Sequence, residues 1–254
     1  MALLRPEFLD ADELTYRIFG LGRDNVPWRA ADVIGTGPLV QDERRAQLAW
    51  RLSSRAYYAE QAGLVAAASL AAQTEDTALR FSLATAAADE ARHADAFYQY
   101  ARRIGQGEPE ECLDRSQPLD TMLGGLPYLG KAVVHTLLEG LAADEFILLR
   151  DVFRDDPLGR LYELVRYDEI RHIAIGMNYL VRELRSPTGR ETWAEHGAEW
   201  LTTGIEITGL ARLSRWLGEL TGRDANSVHE WFLRRHRVRL RAVGIQLPEG
   251  GEHP

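Results

Sequence analysis

Along most of this chain apolar residues return every three or four positions, and the strict alternation of a half-buried strand is nearly absent, so the pattern predicts helices. A lead-in punctuated by Gly and Pro, ending near GTGPLV, reads as irregular. The first long helix is expected over about 42–73. The following TEDT supplies turn and N-cap oxygens, and a second helix runs from there to about residue 103, stopped by Gly105, Gly107 and Pro109. A polar connection, GQGEPEECLDRSQP, precedes a third helix over about 126–152, frayed at its start by the GG of MLGGLP. Asp155, Asp156 and Pro157 offer an N-cap and a first-turn proline to a fourth helix ending near residue 185. Ser186, Pro187 and Gly189 separate it from a fifth over about 191–220, and a sixth covers about 225–243. The tail PEGGEHP reads as disordered. The expectation is one all-α domain over 1–254, a four-helix bundle at about 42–185 with two additional C-terminal helices.

Within the second and fourth helices the chain writes one motif twice: ADEARHA at 88–94 and YDEIRHI at 167–173. Residues at i and i+3 share a helix face, so Glu90 with His93 and Glu169 with His172 each present two donors together. Leu83, Ala86, Ala94 and Phe97 flank the first pair; Leu161, Val165, Ile173 and Gly176 flank the second. An unpaired carboxylate buried among such residues would cost several kcal/mol. A metal cation is the strongest remedy.

Two more acids fit. Glu60 lies on a face with Leu52, Ala56, Gly63, Leu64 and Ala67, thirty residues before Glu90. Glu139 lies on a face with Ala132, His135, Ala143 and Phe146, thirty residues before Glu169. At ~1.5 Å rise per residue, a hairpin turning near the midpoint of each interval returns the chain to the same height. The turn signals Thr74–Asp76 and Asp155–Pro157 fall near those midpoints. Two such hairpins bring four carboxylates and two imidazoles to one level, the pattern of di-iron and di-manganese carboxylate sites in bundle cores. Glu60, Glu90, His93, Glu139, Glu169 and His172 are therefore the expected metal ligands and catalytic residues. A metal-bound imidazole needs an acceptor on its other nitrogen, so Asp89 and Asp168 are expected to reach the histidine of the opposite motif, with Arg92 and Arg171 neutralising them. Glu145 is the competing acid on the third helix, and it too shares an apolar face; the thirty-residue interval favours Glu139.

Composition and charge narrow the class. A formal net charge of −8 disfavours non-specific binding to a polyanion, so no nucleic-acid partner is expected. The lone cysteine, Cys112, excludes a disulfide framework or a Cys-based metal cluster within one chain. No stretch approaches the ~20 uninterrupted apolar residues of a membrane helix, and MALLRPEFLDADELTYRIFG lacks the apolar core of a secretory signal. A cytoplasmic protein without a membrane partner is expected.

On Glu60, DEARH at 89–93, Glu139 and DEIRH at 168–172, the sequence resembles the ferritin-like di-iron carboxylate oxygenases. That superfamily includes monooxygenase hydroxylases, acyl-carrier-protein desaturases, ribonucleotide reductase small subunits, aldehyde-deformylating oxygenases and arylamine N-oxygenases. The likeness covers about 42–185. It implies two iron ions, with manganese as the alternative, and O2 as co-substrate in the oxidation of a small organic molecule. Val165 stands where p-aminobenzoate N-oxygenases carry an additional histidine, and Ala143 where many hydroxylases carry a threonine. The absence of a Rossmann glycine fingerprint points to an external electron donor, a ferredoxin or reductase. A di-manganese catalase and a ferritin-like iron-storage protein are the rival readings, and a homodimer is the assembly to test.

Other residues receive plainer expectations. His135 reads as a hydrogen-bonded core residue more readily than a ligand, and Tyr57 and Tyr58 as packed. Glu206 reads as an interhelical hydrogen-bonding group, Glu145 as a partner of the added helices, and His229 with His236 as a solvated or oligomeric face. Gly63, Ala67, Ala94, Phe97, Ala143 and Gly176 form the expected cavity wall.

Overall fold

The computed structural model describes residues 13–25, 27–35, 39, 42–105, 107–110 and 123–245; Cys112 and the PEGGEHP tail lie outside them. Two long helices, α3 (Glu43–Gln73) and α4 (Thr77–Gly105), pack against each other along their length. A second hairpin is formed by α5 (Tyr128–Val152) and α6 (Pro157–Glu183). Contacts of α4 with α6 and of α3 with α5 close the four into a bundle.

Local chemistry sets the turns. The Asp42 side chain accepts from Arg45 N at 2.8 Å to start α3. At the first hairpin Asp76 accepts from Leu79 N at 2.9 Å, and Thr74 accepts from Asp76 N at 3.2 Å. At the second, Asp156 accepts from Leu158 N at 2.8 Å and from the Tyr100 hydroxyl at 2.6 Å, which ties that turn to α4. Each oxygen satisfies a backbone donor that the first helical turn leaves without a partner.

The N-terminal lead-in departs from the expectation of irregular chain. It holds α1 (Leu14–Asp24) and a short α2 (Ala30–Ile34), both packed on α4 and α6. Gly20 and Gly22 made this stretch look like a loop, but Gly22 is a close-approach residue. A Cβ there would lie 2.8 Å from both Arg171 Nη1 and Thr85 Oγ1.

The C-terminal region also differs. Ser186 and Pro187 act as N-cap and first-turn residue, with Ser186 Oγ accepting from Gly189 N at 2.9 Å, so α7 (Pro187–Thr208) begins earlier than expected. The expected fifth helix then breaks at Gly209, whose φ of 56° and ψ of 38° are left-handed, and a separate helix, α8 (Leu210–Thr221), follows. Finally α9 (Ala225–Ala242) pairs with α8 and lies on α5. The fully buried Asp144 of α5 holds it there, taking Arg235 Nε at 2.5 Å and the Arg239 guanidinium at 2.6 and 2.8 Å. Asp144, not Glu145, is thus the acid that meets the added helices. His236 is buried beside it and His229 half-buried with Nδ1 3.4 Å from Ser214 Oγ, so the solvated face assigned to these histidines is not found. Glu206 is exposed rather than interhelical.

The largest apolar cluster fills one end of the bundle around Phe97, Tyr100, Phe146, Phe153, Leu158 and Tyr162. Among the described residues no strand occurs, and no helix is long and apolar enough to cross a membrane.

Candidate metal centre

Midway along the bundle the four long helices turn charged side chains inward. Glu60, Glu90, His93, Glu139, Glu169 and His172 are all buried, none more than 6% exposed. They fall into two sets. Donor atoms of Glu60, Glu90, His93 and Glu169 lie within 4.8 Å of one another, and so do those of Glu90, Glu139, Glu169 and His172. Glu90 and Glu169 belong to both.

The two imidazoles are oriented alike. His93 points Nδ1 inward, 3.2 Å from Glu60 Oε2, 3.5 Å from Glu169 Oε1 and 4.0 Å from Glu90 Oε2. Its Nε2 faces outward, 3.2 Å from Asp168 Oδ2. His172 points Nδ1 to Glu90 Oε1 at 3.0 Å, Glu169 Oε2 at 3.2 Å and Glu139 Oε2 at 3.3 Å, with Nε2 3.4 Å from Asp89 Oδ2. Each aspartate therefore meets the histidine of the other motif. An Nε2–H directed at the carboxylate leaves the Nδ1 lone pair facing the cluster. Arg92 Nη2 joins the aspartates, 2.6 Å from Asp89 Oδ1 and 2.8 Å from Asp168 Oδ2, and Arg171 pairs with Asp89 while its Nη1 donates to Thr85 Oγ1 at 2.9 Å.

Sequence reasoning missed Trp28, which lies in the lead-in just before α2. Its indole N–H donates to Asp168 Oδ2 at 3.1 Å, its ring stacks on His93 at 6.0 Å between centroids, and Arg92 lies over it at 5.1 Å. A tryptophan in a stretch that reads as irregular carries no periodic signal, so only the fold connects it to the site. His135 is buried with Nε2 2.9 Å from Glu139 Oε1 and stands outside both four-donor sets. Tyr57 packs its ring on Tyr58 and Tyr98.

Burial pushes the Glu90 carboxyl up to about 8, reinforced by repulsion from Glu60 and Glu139. Burial likewise raises Glu169 to about 8, with Glu139 and Glu90 adding to it. Glu60 is raised, again by burial first. For Glu139 burial is outweighed by His135, Glu169 and His172, and its carboxyl is held well below the usual range. For both histidines the carboxylates overcome burial and favour the imidazolium: Asp168, Glu169 and Glu60 at His93, and Glu139, Glu169 and Glu90 at His172.

These features fit two divalent cations. Four carboxylates carry −4, two such cations carry +4, and Asp89 with Asp168 is offset by Arg92 with Arg171. Glu169 belongs to both donor sets, and its buried Oε2 makes no hydrogen bond although His172 Nδ1 lies 3.2 Å away. A buried carboxylate oxygen in that state is costly unless a cation takes it. Carboxylate and imidazole donors suit first-row transition metals.

A cavity of about 200 Å³ opens beside the cluster between α3 and α5, lined by Glu60, Glu90, Glu139 and Glu169 at one end. Of the expected wall only Gly63 lines it; Ala56, Ala59, Ala62, Ala66, Leu138 and Ala142 supply most of the small apolar surface. The helix phase explains the correction. Ala142 faces the cavity, whereas neighbouring Ala143 is turned away from it, and Gly176 lies against Thr136, whose Oγ1 a Cβ would overlap. Glu145 lines the cavity and pairs with Arg55 of α3.

No protein-family model matches the chain, and no curated protein matches it. Solved structures of an R2-like ligand-binding oxidase do. A variant with an anaerobically reconstituted Mn/Fe cofactor is 17% identical with a TM-score of 0.65, and one with an aerobically reconstituted Mn/Fe cofactor is 16% identical with a TM-score of 0.68. A third, with a non-activated Mn/Mn cofactor, is 17% identical with a TM-score of 0.68. Each match covers 92% of this chain and 94% of the other. The fold is ferritin-like, the helical architecture of the di-metal carboxylate proteins.

Proposed function

We propose that the chain is a di-metal oxidase that uses O2 to oxidise a small organic substrate. The observation that carries this reading is the pair of buried four-donor sets sharing Glu90 and Glu169. Glu60 with His93 would hold one ion and Glu139 with His172 the other, the two shared glutamates spanning both. Two irons are the proposed occupants, with manganese at one or both positions as the alternative. The oxidases of like fold, with their Mn/Fe and Mn/Mn cofactors, support a dinuclear reading without choosing between the metals.

The bound metals supply the reaction with O2. The chain's own part is to set donor geometry and shelter the reacting centre. Asp168 and Asp89 fix the ring orientation of His93 and His172 by accepting from Nε2, which also makes each imidazole a better donor. The small side chains of α3 and α5 leave room for a substrate beside the glutamates, and their apolar surface excludes water. A hydrogen-bonded path from half-buried Trp28 through Asp168 to His93 offers an external ferredoxin or reductase a short route inward.

The test is anaerobic reconstitution with Fe(II), or with Fe(II) and Mn(II) together, followed by exposure to O2. Two metals per chain and reductant-dependent O2 uptake are expected. One metal or none at saturation would overturn the dinuclear reading, and rapid O2 evolution from peroxide by the manganese form would replace it with a catalase.

A further inference from the structure

The cavity beside the cluster carries a polar group that neither the metal site nor the rest of the chain satisfies. Tyr162 of α6 lines it, is only 1% exposed, and its hydroxyl has no hydrogen-bond partner. Tyr162 stands seven residues before Glu169 on the same helix face, roughly 10 Å from it along the bundle axis at ~1.5 Å per residue. Phe146 and Phe97 hold its ring, with centroids 5.1 and 5.5 Å away. Other polar lining groups are already engaged. Glu145 pairs with Arg55, which also lies over the Trp216 ring at 5.2 Å. His135 Nε2 lies 2.9 Å from Glu139 Oε1, and the Thr208 hydroxyl donates to Ile205 O at 2.6 Å.

Resting on the oxidase reading, we propose that the Tyr162 hydroxyl is the polar anchor of the substrate site. It donates to the carbonyl oxygen of a small, neutral, otherwise apolar substrate and so directs the substrate's apolar end at the glutamates.

The class of ligand follows from what the phenol offers. Burial pushes its ionisation up, and Glu60 adds to this against the opposing effect of Arg55, so Tyr162 remains an O–H donor. A buried donor left alone costs about 1–3 kcal/mol, and one acceptor oxygen recovers that cost. A hydrocarbon recovers none of it. An alcohol brings an O–H of its own that needs an acceptor, whereas a carbonyl brings none. A carboxylate sheds its hydration at a cost of several kcal/mol for a single neutral donor, in a cavity already lined by five glutamates. The size agrees: a cavity of about 150 Å³ is known to hold benzene, so about 200 Å³ admits a ring with a short substituent. Ala56, Ala59, Ala62 and Leu141 give that body an apolar wall.

The test uses acetophenone, α-methylstyrene, in which a CH2 group replaces the carbonyl oxygen at nearly the same shape, and benzoate. Each is titrated by calorimetry into the full-length protein, metal-free and after anaerobic loading with Mn(II), and metal content is measured on the same samples. Tyr162→Phe keeps the packed ring and removes the donor. It is expected to weaken acetophenone about tenfold and to leave α-methylstyrene as tight as before. Benzoate should bind the metal-free wild-type chain at least tenfold more weakly than acetophenone. The carbonyl stretch of isotope-labelled acetophenone, read by infrared difference, should lie below its position in an alkane when bound to the wild-type chain and return towards it in the variant. A tyrosine that only packs would not move that band. Should the variant fail to fold, the wild-type band and the benzoate comparison decide. Equal weakening of acetophenone and α-methylstyrene, an unshifted band, benzoate as tight as acetophenone, or no binding of acetophenone overturns the proposal. Two metals without a Tyr162-dependent carbonyl preference would leave the oxidase reading standing and remove the anchor. Tyr162-dependent acetophenone binding with fewer than two metals would do the reverse.

Discussion

Asp168 and His93 sit on different hairpins yet share a contact of 3.2 Å between Oδ2 and Nε2, and the same oxygen receives the Trp28 indole N–H at 3.1 Å. The His93 ring is thereby held from behind with Nδ1 turned to three glutamates. Removing the acceptor while keeping its shape isolates this effect. Asp168→Asn is expected to lower metal affinity about 10–100-fold with the fold intact. A chelator-competition titration paired with a thermal melt checks it; unchanged affinity would show that the aspartate has no hold on the ring.

Glu139 and Glu145 separate in position: Glu139 belongs to a four-donor set, whereas Glu145 pairs with Arg55. Glu139→Ala should lose the ion beside His172, whereas Glu145→Ala should keep two metals per chain. Metal analysis of the two variants after identical loading decides between them. Loss of metal from the Glu145 variant alone would reverse the assignment.

Metal loading should be proton-linked. In the metal-free protein Glu90 and Glu169 titrate near 8, and His93 and His172 are raised, so at neutral pH the cluster holds protons that cations must displace. Loading should therefore release protons, and apparent affinity should fall as pH drops below 8. At a free-metal concentration of about 100 times Kd the gain is ~2.7 kcal/mol, a rise in Tm of roughly 5–10 °C for a chain of this size. Calorimetry in buffers of different ionisation enthalpy reads the protons; pH-independent loading would contradict the prediction.

His236 gives a second pH signature, away from the metals. Burial, with the nearby Arg239 and Arg235, lowers it from 6.5 to about 4. The folded state keeps the ring neutral while the unfolded chain protonates, so this stability is whole above pH 6.5 and drains away as pH falls towards 4. The loss attributable to His236 is about 2 kcal/mol between pH 6.5 and 5. His236→Gln cannot charge and should show a flatter profile in denaturant unfolding; a parallel profile would mean the ring is not neutral in the folded protein.

The long helices and the six-residue cluster were legible because they rest on local rules. Helical period, capping residues and equal thirty-residue spacings are all written along the chain. What was not legible depended on which neighbour a residue meets. Gly22 looked like a breaker until Arg171 filled the space beside it. Gly209 lay inside an unbroken periodic stretch, and only its left-handed backbone separates α7 from α8. Ala142 and Ala143 differ by one step of helix phase, too fine for an apolar face read from sequence to assign one to the cavity. Nothing along the chain singles out Arg55, because Glu145, which it meets in the fold, is ninety residues away.

The two donor sets are interlocked. Each draws three residues from one hairpin and its fourth, a shared glutamate, from the other. Neither hairpin owns a complete site, and neither histidine finds its aspartate within its own motif. An ion captured by either set would act as a rivet through both halves of the bundle, placing the remaining glutamate where the next ion needs it. Occupancy should then advance from none to two with little singly loaded protein, and stripping one ion should loosen the other.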